Sequence, residues 1–214
     1  MDLTKESCRT FTEVLASPAP APGGGGAAAL VGALGVALGH MAANLTLGKK
    51  KYAAVQQRME GICDACTRLE NTLLNQVEAD ELGFLPLAAI YRLPKDAPDR
   101  DRLMDEASLA ACQTPLRVME LCAQALECIA LVAEHGSRLA VSDTGAGAVC
   151  CKAAMQSAAL AIFCNTKTLH DRAAAEAVDQ KVNTILAQSG AVADGIFQSV
   201  CAQLGQEDGH AVIG

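Results

Sequence analysis

Residues 17–52 read SPAPAPGGGGAAALVGALGVALGHMAANLTLGKKKY, and they are the most informative part of the sequence about the fold. Its first part, Ser17–Gly26, interrupts any preceding helix, because proline bars helix and glycine allows backbone conformations closed to other residues. From about Gly26 to Leu47 the sequence then predicts a helix that is apolar on all sides. No Asp, Glu, Lys or Arg occurs between Pro22 and Gly48. A helix of this kind must be buried, either in a membrane or among other helices.

The composition of this helix favours burial inside a protein over insertion into a bilayer. The segment is long enough to cross a membrane. It consists mostly of Ala and Gly, however, and it contains the polar residues His40, Asn44 and Thr46. A helix so poor in Leu and Val is only weakly driven into lipid. We therefore expect the central helix of a bundle, with no membrane partner, ended by Gly48 and the positive charges of Lys49–Lys51.

Apolar residues recur at helical spacing through the rest of the chain, and no strand pattern or internal linker is present. The predicted segments are a short helix ending near Ala16, a long helix from Tyr52 to about Ile90, a helix over about 102–135 bent near Thr114–Pro115, a helix capped by Ser142 or Asp143 that runs through Phe163, and a helix over about 171–204. The tail after Gly205 is predicted to fray. The sequence thus predicts one all-α domain over residues 1–214, a multihelical bundle of about six helices around a buried central helix.

Composition supports this fold and excludes several kinds of partner. The chain has 214 residues, of which 41 are Ala and 3% are aromatic. Small side chains in this proportion favour close helix packing over a β-sandwich, which uses more aromatic and β-branched residues. The net charge of −7 gives no global attraction for nucleic acid or anionic lipid. An anionic ligand must therefore meet a local basic cluster.

The ten cysteines indicate a reducing, cytoplasmic environment. The polar N-terminus has no apolar signal segment, and most of the cysteines fall among apolar neighbours, as small buried side chains do. Cys63 and Cys66 form a C-x-x-C spacing inside a helical pattern. No second pair or His cluster lies at zinc-ligand spacing, so we expect buried core thiols and no metal site.

Asp80 is an anomaly in the long predicted helix. The residues of the apolar row one and two turns away from it are Leu73, Val77, Phe84 and Leu87. An ionised carboxylate in apolar surroundings must find a partner or take up a proton. A carboxyl with a raised pKa is suited to general acid–base catalysis, whereas a buried ion pair is the structural alternative. Glu78 is expected on the flank of the helix and more exposed.

Two further motifs flank the central helix. Backbone N–H groups at a helix start such as Gly23–Gly26 can bind an anion or a polarised carbonyl, although a flexible connector also explains the run. The run is not a P-loop, since no G-K-[ST] follows, and no strand precedes it. Lys49, Lys50 and Lys51 form a local positive site for carboxylates or phosphates, or simply a solvated helix end.

A looser group of polar residues lies at the edges of apolar helices. Asn44, Asp143 and Asn165 are each either a helix cap or a satisfied polar group of the core. His40 interrupts the Ala/Gly helix, and we expect a hydrogen-bonded buried histidine there, not a metal ligand.

Four ordered motifs give the chain a family resemblance. Residues 17–52 resemble the opening signature of the formimidoyltetrahydrofolate cyclodeaminase/methenyltetrahydrofolate cyclohydrolase family, which reads approximately TPxPGGGSxAAxxGALGAAL…M…LTxGKKKY. Three later stretches are similar to further family motifs. They are VEADELGF…YRLPKDAPD at 77–99, EHGSRLAVSDTGAGA at 134–148 and AIFCNTKTL at 161–169. The similarity extends from Phe11 to about Val200.

The resemblance implies a soluble, multihelical, dimeric enzyme that acts on one-carbon forms of tetrahydrofolate, with no cofactor beyond that substrate. In the family the second acidic residue of a DxD motif is the proposed catalytic carboxylate, and it aligns with Asp80, while Glu78 aligns with the first. Four positions depart from the family pattern: Gly26 replaces Ser, Ser137 replaces Asn, and Leu82-Gly83 replaces a more usual pair. Pocket shape and substrate preference depend on them.

Two reactions fit the resemblance. A cyclohydrolase opens 5,10-methenyltetrahydrofolate with water to give 10-formyltetrahydrofolate, and a cyclodeaminase closes 5-formimidoyltetrahydrofolate with loss of ammonia. In either case Asp80 is the expected general acid/base. The pterin or the bridging carbon is expected to be held by Gly23, Gly24, Gly25 and Asn44. The folate glutamate tail is expected to be bound by Lys49–Lys51. Asp143 and Asn165 complete the predicted substrate-binding set. A catalytically degenerate folate-binding or interaction protein is the third hypothesis.

Overall fold

The computed structural model describes residues 2–205, and these contain α-helices and short 3-10 turns but no β-strand. The α-helices are α1 (Cys8–Leu15), α2 (Gly24–Asn44), α3 (Gln56–Tyr91), α4 (Arg100–Ala111), α5 (Gln113–His135), α6 (Val141–Thr166) and α7 (Arg172–Gln203). The all-α prediction is confirmed. The expected frayed tail after Gly205 lies outside the described residues.

Helix α2 is the centre of the bundle, as predicted, and it contacts α3, α5 and α6. Glycines at its contacts bring neighbouring backbones together. A Cβ at Gly35 would lie 2.8 Å from Cys151 Sγ and 2.9 Å from the Gly147 carbonyl oxygen of α6, and one at Gly39 would lie 2.6 Å from Ile129 Cγ1 of α5. Larger residues would push the helices apart. The helix is not buried all round, however, because Leu34, Ala37 and Met41 on one face are exposed.

Helices α2 and α6 run antiparallel. Gly32 lies beside Ala154, whereas Gly39 lies beside Gly147, so the residue number falls along α6 as it rises along α2. The N-terminus of α2 therefore lies at the same end of the bundle as the C-terminus of α6. The C-terminus of α2 lies at the opposite end, about 30 Å away for a helix of this length.

Three predicted boundaries differ from the structure. The helix expected over 102–135 is divided at Cys112 into α4 and α5, because Pro115 cannot supply an N–H to a continuous helix. Helix α6 begins at Val141 with Ala140 as its N-cap residue, so neither Ser142 nor Asp143 caps it. The 3-10 turn Arg138–Ala140 leads directly into α6, and this places Asp143 within its first turn. Residues 50–55 form a 3-10 helix before α3, which then continues through Pro86.

The core consists of small and aliphatic side chains from α2, α3, α5, α6 and α7. All ten cysteines are free thiols, and Cys66, Cys112, Cys122 and Cys151 are buried. The expectation that most cysteines are buried is only partly met, since Cys8 and Cys164 are exposed. His40 is hydrogen-bonded as predicted, with its Nδ1 2.7 Å from Glu70 Oε1 of α3.

Candidate active site

A cleft of about 250 Å³ opens where the N-terminus of α2 meets α3, α5 and α6. Gly23, Gly24 and Gly25 form one side of it, and Asp80 and Glu81 of α3 line another. Asn165 at the end of α6 also lines the cleft. The structure thus brings together five of the residues selected from the sequence, contributed by three separate segments.

The Asp80 carboxyl lies directly against Gly25. A Cβ built on Gly25 would collide with Asp80 Oδ1 and would lie 2.5 Å from its Cγ and Oδ2. By contrast, a Cβ at Gly23 or Gly24 would meet nothing within 4 Å. The glycine at position 25 therefore provides the space in which the carboxyl sits, which explains why at least this part of the run must lack a side chain.

Burial changes the acidity of Asp80. The side chain is half-buried on the face of α3 that also carries the buried residues Leu73, Val77 and Leu87. Desolvation raises the pKa of the Asp80 carboxyl above its usual value, and a hydrogen bond from the Gly26 backbone N–H partly offsets this rise. The carboxyl is consequently a stronger base than an exposed aspartate. Glu78 is exposed, as predicted.

The first turn of α2 supplies hydrogen-bond donors to the same cleft. The N-cap residue Gly23 makes no side-chain capping bond. The N–H groups at the start of a helix have no partner inside the helix, and the helix dipole adds partial positive charge there. Asp80 accepts from one of these groups, the N–H of Gly26, and the N–H groups of Gly24 and Gly25 belong to the same turn. The cleft therefore combines a proton-accepting carboxyl with backbone donors.

Apolar groups enclose the rest of the cleft. Phe84 lies one turn beyond Asp80 on α3, and Pro115 and Ala161 contribute from α5 and α6. Such walls around a few convergent polar groups are typical of sites for small organic ligands.

Helix α2 separates the other predicted site residues from this cleft. Asn44 is the last residue of α2, and Lys49–Lys51 follow it at the opposite end of the bundle. Lys49 Nζ donates to Ser137 Oγ at 3.0 Å, whereas Lys50 and Lys51 are exposed. Asp143 lies at the same end, at the start of α6. The expectation that Gly23–Gly25 and Asn44 hold one group is therefore wrong within a single chain, because about 30 Å of helix lies between them.

A larger cavity of about 600 Å³ lies near this second end, between α5, α6 and α7. Its charged lining residues, Glu134 and Arg138, are exposed. Exposed groups stay hydrated, whereas the carboxyl of Asp80 is partly removed from water beside fixed backbone donors. We therefore place the candidate active site at the smaller cleft.

Several lining residues were not selected from the sequence. Glu81 directly follows Asp80, and Cys164 directly precedes Asn165, but neither breaks the local pattern of its helix. Phe84 was recognised only as an apolar neighbour of Asp80. Pro115 carries no chemical signal of its own. Residues 2–205 contain no cluster of three or more His, Cys, Asp or Glu side chains arranged to hold a metal ion.

Two helices, α2 and the segment 138–166, pass a length-and-hydropathy test for a membrane span, with mean hydropathies of 1.6 and 1.5. Core helices of bundles pass the same test. Just over half of the apolar window in α2 is covered by other helices of the bundle.

Comparison with known proteins shows which family the chain resembles. Residues 7–184 match the model of the formiminotransferase-cyclodeaminase family. A methenyltetrahydrofolate cyclohydrolase from Methylorubrum extorquens is 37% identical over 91% of this chain and 96% of its own length. A formimidoyltransferase-cyclodeaminase from Dictyostelium discoideum is 30% identical over 86% of this chain, which spans about a third of that longer relative.

A solved structure supports the fold assignment. The crystal structure of formiminotetrahydrofolate cyclodeaminase from Thermotoga maritima aligns with a TM-score of 0.80 and 27% identity, covering 95% of this chain and 98% of that one. The family match covers most of the sequence, and the structural match covers nearly all of both chains. The chain therefore belongs to the formiminotransferase-cyclodeaminase family.

Proposed function

We propose that this protein is a methenyltetrahydrofolate cyclohydrolase, which hydrolyses 5,10-methenyltetrahydrofolate to 10-formyltetrahydrofolate. The observation that carries the proposal is the half-buried Asp80 carboxyl, with its raised pKa, held against the N-terminus of α2. The similarity to the cyclohydrolase of Methylorubrum extorquens, which covers nearly the whole of both chains, supports the same reaction.

In this mechanism Asp80 handles the proton of the attacking water. The bridging carbon of the substrate carries a delocalised positive charge between N5 and N10, so an ionised Asp80 is attracted to it. Asp80 removes a proton from water while the water oxygen bonds to the bridging carbon, and this gives a neutral tetrahedral intermediate. The protonated Asp80 then gives the proton to N5 as the carbon–N5 bond breaks. The hydroxyl loses its proton to solvent and becomes the formyl oxygen.

The surrounding groups orient the substrate in this proposal. The free N–H groups of Gly24 and Gly25 stabilise the oxygen that water brings to the bridging carbon. Phe84 supports the flat pterin ring by stacking. Glu81 accepts from the adjacent N–H and amino donors at the far edge of the ring, and Asn165 contacts a polar group nearer the bridge. No cofactor beyond the folate is required.

Cyclodeamination is the second candidate, since the matched structure is of a cyclodeaminase. That reaction passes through a similar tetrahedral carbon between N5 and N10. Asp80 would then protonate the departing ammonia in place of activating water. A catalytically inactive folate-binding protein is the third candidate, because Gly26 and Ser137 depart from the family pattern.

One experiment distinguishes the three candidates. Purified protein is supplied with 5,10-methenyltetrahydrofolate while the methenyl absorbance is followed, and with 5-formimidoyltetrahydrofolate while ammonia release is followed. We expect enzyme-dependent loss of the methenyl absorbance and no ammonia. Ammonia release would favour the cyclodeaminase. Absence of both, with folate binding retained, would favour the inactive binder.

We further propose that the protein is a cytoplasmic homodimer without a nucleic-acid or membrane partner. The acidic net charge and the ten free thiols support this setting. Exposed apolar residues on α2 and α6 support association. Light scattering with and without dithiothreitol tests the assembly. A dimer in both conditions is expected, and a monomer, or a dimer that dissociates on reduction, would contradict it.

A further inference from the structure

A second groove, of about 340 Å³, lies between α3 and α5 and shares no lining residue with the candidate active site. Its lining includes Arg68 from α3 and Arg117, Glu127 and Cys128 from α5. No residue of α2 or α6 lines it, so the groove is separate from the exposed apolar residues of those two helices. The groove is therefore a surface feature that the proposed function leaves unexplained.

Two cysteines from different helices meet at the wall of this groove. Cys128 of α5 is half-buried and lines the groove. Cys66 of α3 is only 1% exposed. The Cys66 thiol donates a hydrogen bond to the Cys128 sulfur, and both residues are free thiols. The Cys66–Cys128 pair thus consists of an accessible sulfur with a buried thiol beside it.

The C-x-x-C spacing of α3 does not contain this pair. Spacing alone would pair Cys66 with Cys63. In the structure the Cys63 thiol instead donates to Asn44 Oδ1 of α2, at 3.5 Å. Cys63 and Cys66 therefore interact with different helices, and the sulfur that contacts Cys66 comes from a residue distant in sequence.

The contact divides the two thiols into a nucleophile and a proton holder. The hydrogen bond from Cys66 lowers the pKa of the Cys128 thiol, and Arg68 acts in the same direction, whereas burial and Glu127 oppose them. The same hydrogen bond, together with burial, raises the pKa of the Cys66 thiol. Since the thiolate is the reactive form of cysteine, Cys128 is the nucleophile of the pair.

The charges of the groove favour an anionic ligand. Arg68 is exposed and makes no ion pair within residues 2–205. Arg117 is exposed as well, and its Nη1 lies 3.3 Å from Glu120 Oε2. Glu127 is the one acidic residue of the lining. Guanidinium groups bind carboxylates with two parallel hydrogen bonds, so a small carboxylate-bearing molecule matches the groove.

We propose that this groove is a thiol–disulfide exchange site, in which Cys128 attacks a small carboxylate-bearing disulfide held by Arg68 and Arg117, and Cys66 then resolves the mixed disulfide. The site goes beyond the proposed function and does not depend on the folate substrate. Cys66 and Asp80 lie 14 residues apart on α3. This places the exchange site about 20 Å along the helix from the candidate active site.

The exchange has two balanced steps. In the first, Cys128 Sγ bonds to one sulfur of the disulfide, the S–S bond of the ligand breaks, and one small thiol leaves. In the second, Cys66 Sγ bonds to Cys128 Sγ and the second small thiol leaves. The two cysteines lose two electrons and the ligand gains them, while the two cysteine protons end on the small thiols. The first step consumes the charge on Cys128, so the interaction that keeps the proton on Cys66 is lost before the second step.

Peptide mapping of the oxidised protein tests the site. Reduced full-length protein is incubated with glutathione disulfide, the free thiols are blocked with N-ethylmaleimide at successive times, and the products are mapped without reduction. We expect a Cys66–Cys128 disulfide in the wild type. Cys66→Ser should stop at a glutathionyl group on Cys128, because the serine hydroxyl still donates to that sulfur but cannot displace the group. In Cys128→Ser, Cys66 should stay a thiol.

The wild-type map alone is decisive, so the test does not depend on the folding of a variant. Glutathionylation of the exposed Cys8 or Cys164 with Cys66 and Cys128 left as thiols would overturn the proposal. A disulfide between Cys63 and Cys66 would overturn it as well. Circular dichroism of each serine variant confirms that its helices are retained.

The charge of the ligand is tested with a second disulfide. Cystamine carries positive charges where glutathione disulfide carries carboxylates, so the wild type should react faster with glutathione disulfide. Arg68→Gln should lower the ratio of the two rates by about threefold, the size of one exposed charge interaction. Arg58→Gln, which changes an exposed arginine of α3 outside the groove, is the matched control and should leave the ratio unchanged.

An unchanged ratio in Arg68→Gln, or an equal fall in both variants, would overturn the role of the groove in binding the disulfide. The ratio is informative because Arg68 also affects the acidity of Cys128, and that effect slows both disulfides alike. Neither readout uses folate turnover. An inactive wild type in the methenyl assay would therefore reject the cyclohydrolase and leave the exchange site to be judged by its own products.

Discussion

The carboxyl group of Asp80 occupies the space that a side chain at Gly25 would need. The two residues come from different helices, so the contact fixes α3 against the first turn of α2 at the candidate site. It also places a half-buried acid next to backbone donors. Function in this account depends on that relationship, since the position of the proton-transferring group is set by the absence of one Cβ.

Gly25→Ala is expected to displace Asp80 and to reduce kcat by at least tenfold. The new Cβ cannot coexist with the present carboxyl position, and small displacements of a catalytic group are costly. The change is measured by steady-state kinetics beside a thermal melt. Gly23→Ala is the control, because its Cβ meets nothing and its backbone is extended. Equal kcat for the two variants would show that the Asp80 position is unimportant.

The stability of Asp80→Asn relative to wild type should depend on pH. Because burial raises the folded-state pKa of Asp80, the folded state binds its proton more tightly than the unfolded state does. The stability from this group is present below the unfolded pKa and is lost as pH rises through the folded pKa. Melting temperatures from pH 4 to pH 8 should therefore show Asp80→Asn gaining on wild type as pH rises. A difference that is constant or moves the other way would contradict the raised pKa.

Glu81→Gln should raise KM for the folate with a smaller effect on kcat. Glu81 lines the cleft but lies one residue from Asp80, on a different side of α3. A carboxylate accepts from two adjacent donors of the pterin, whereas the amide presents only one acceptor oxygen. Glu78→Gln is the control, since Glu78 is exposed and does not line the cleft. A loss confined to kcat would place Glu81 in proton transfer and not in binding.

Gly35→Ala is expected to destabilise the fold by about 1–3 kcal/mol, the usual cost of overpacking. Its Cβ would lie 2.8 Å from Cys151 Sγ and 2.9 Å from the Gly147 carbonyl oxygen, and a carbonyl oxygen cannot move aside as a side chain does. Urea denaturation measures the change. Gly61→Ala, on the exposed side of α3, meets nothing and should be neutral or stabilising. A similar effect of both substitutions would argue against the close α2–α6 contact.

The sequence alone predicts the central helix and the anomalous acid. Residues 22–48 lack any formal charge, and Asp80 interrupts a regular apolar row, so both features can be recognised from the sequence. The burial of α2 was predicted too broadly. Its face with Leu34 and Met41 is exposed, because helical periodicity cannot show whether an apolar face is covered within one chain or by a second chain.

The arrangement of the candidate site could not be predicted from the sequence. Gly25 and Asn44 belong to the same apolar helix, but they lie about 30 Å apart because they are at its two ends. Asn165 reaches the cleft because α6 runs antiparallel to α2, and no local sequence pattern predicts how these two helices are oriented. The pattern around Asp143 predicts a helix cap or a satisfied polar group of the core, because the 3-10 turn before α6 has no distinctive sequence signal.

Turnover by Asp80→Asn shows whether Asp80 transfers the proton in the reaction. Asparagine retains the shape and the hydrogen-bonding capacity of the side chain but cannot accept and return a proton at neutral pH. The measurement is the enzyme-dependent loss of methenyl absorbance by purified wild type and variant at equal concentration. Their melting temperatures and circular dichroism confirm that both are folded. We expect turnover by the wild type and none above the uncatalysed rate by the variant. A folded variant that retains the wild-type rate would contradict the role of Asp80 in the reaction.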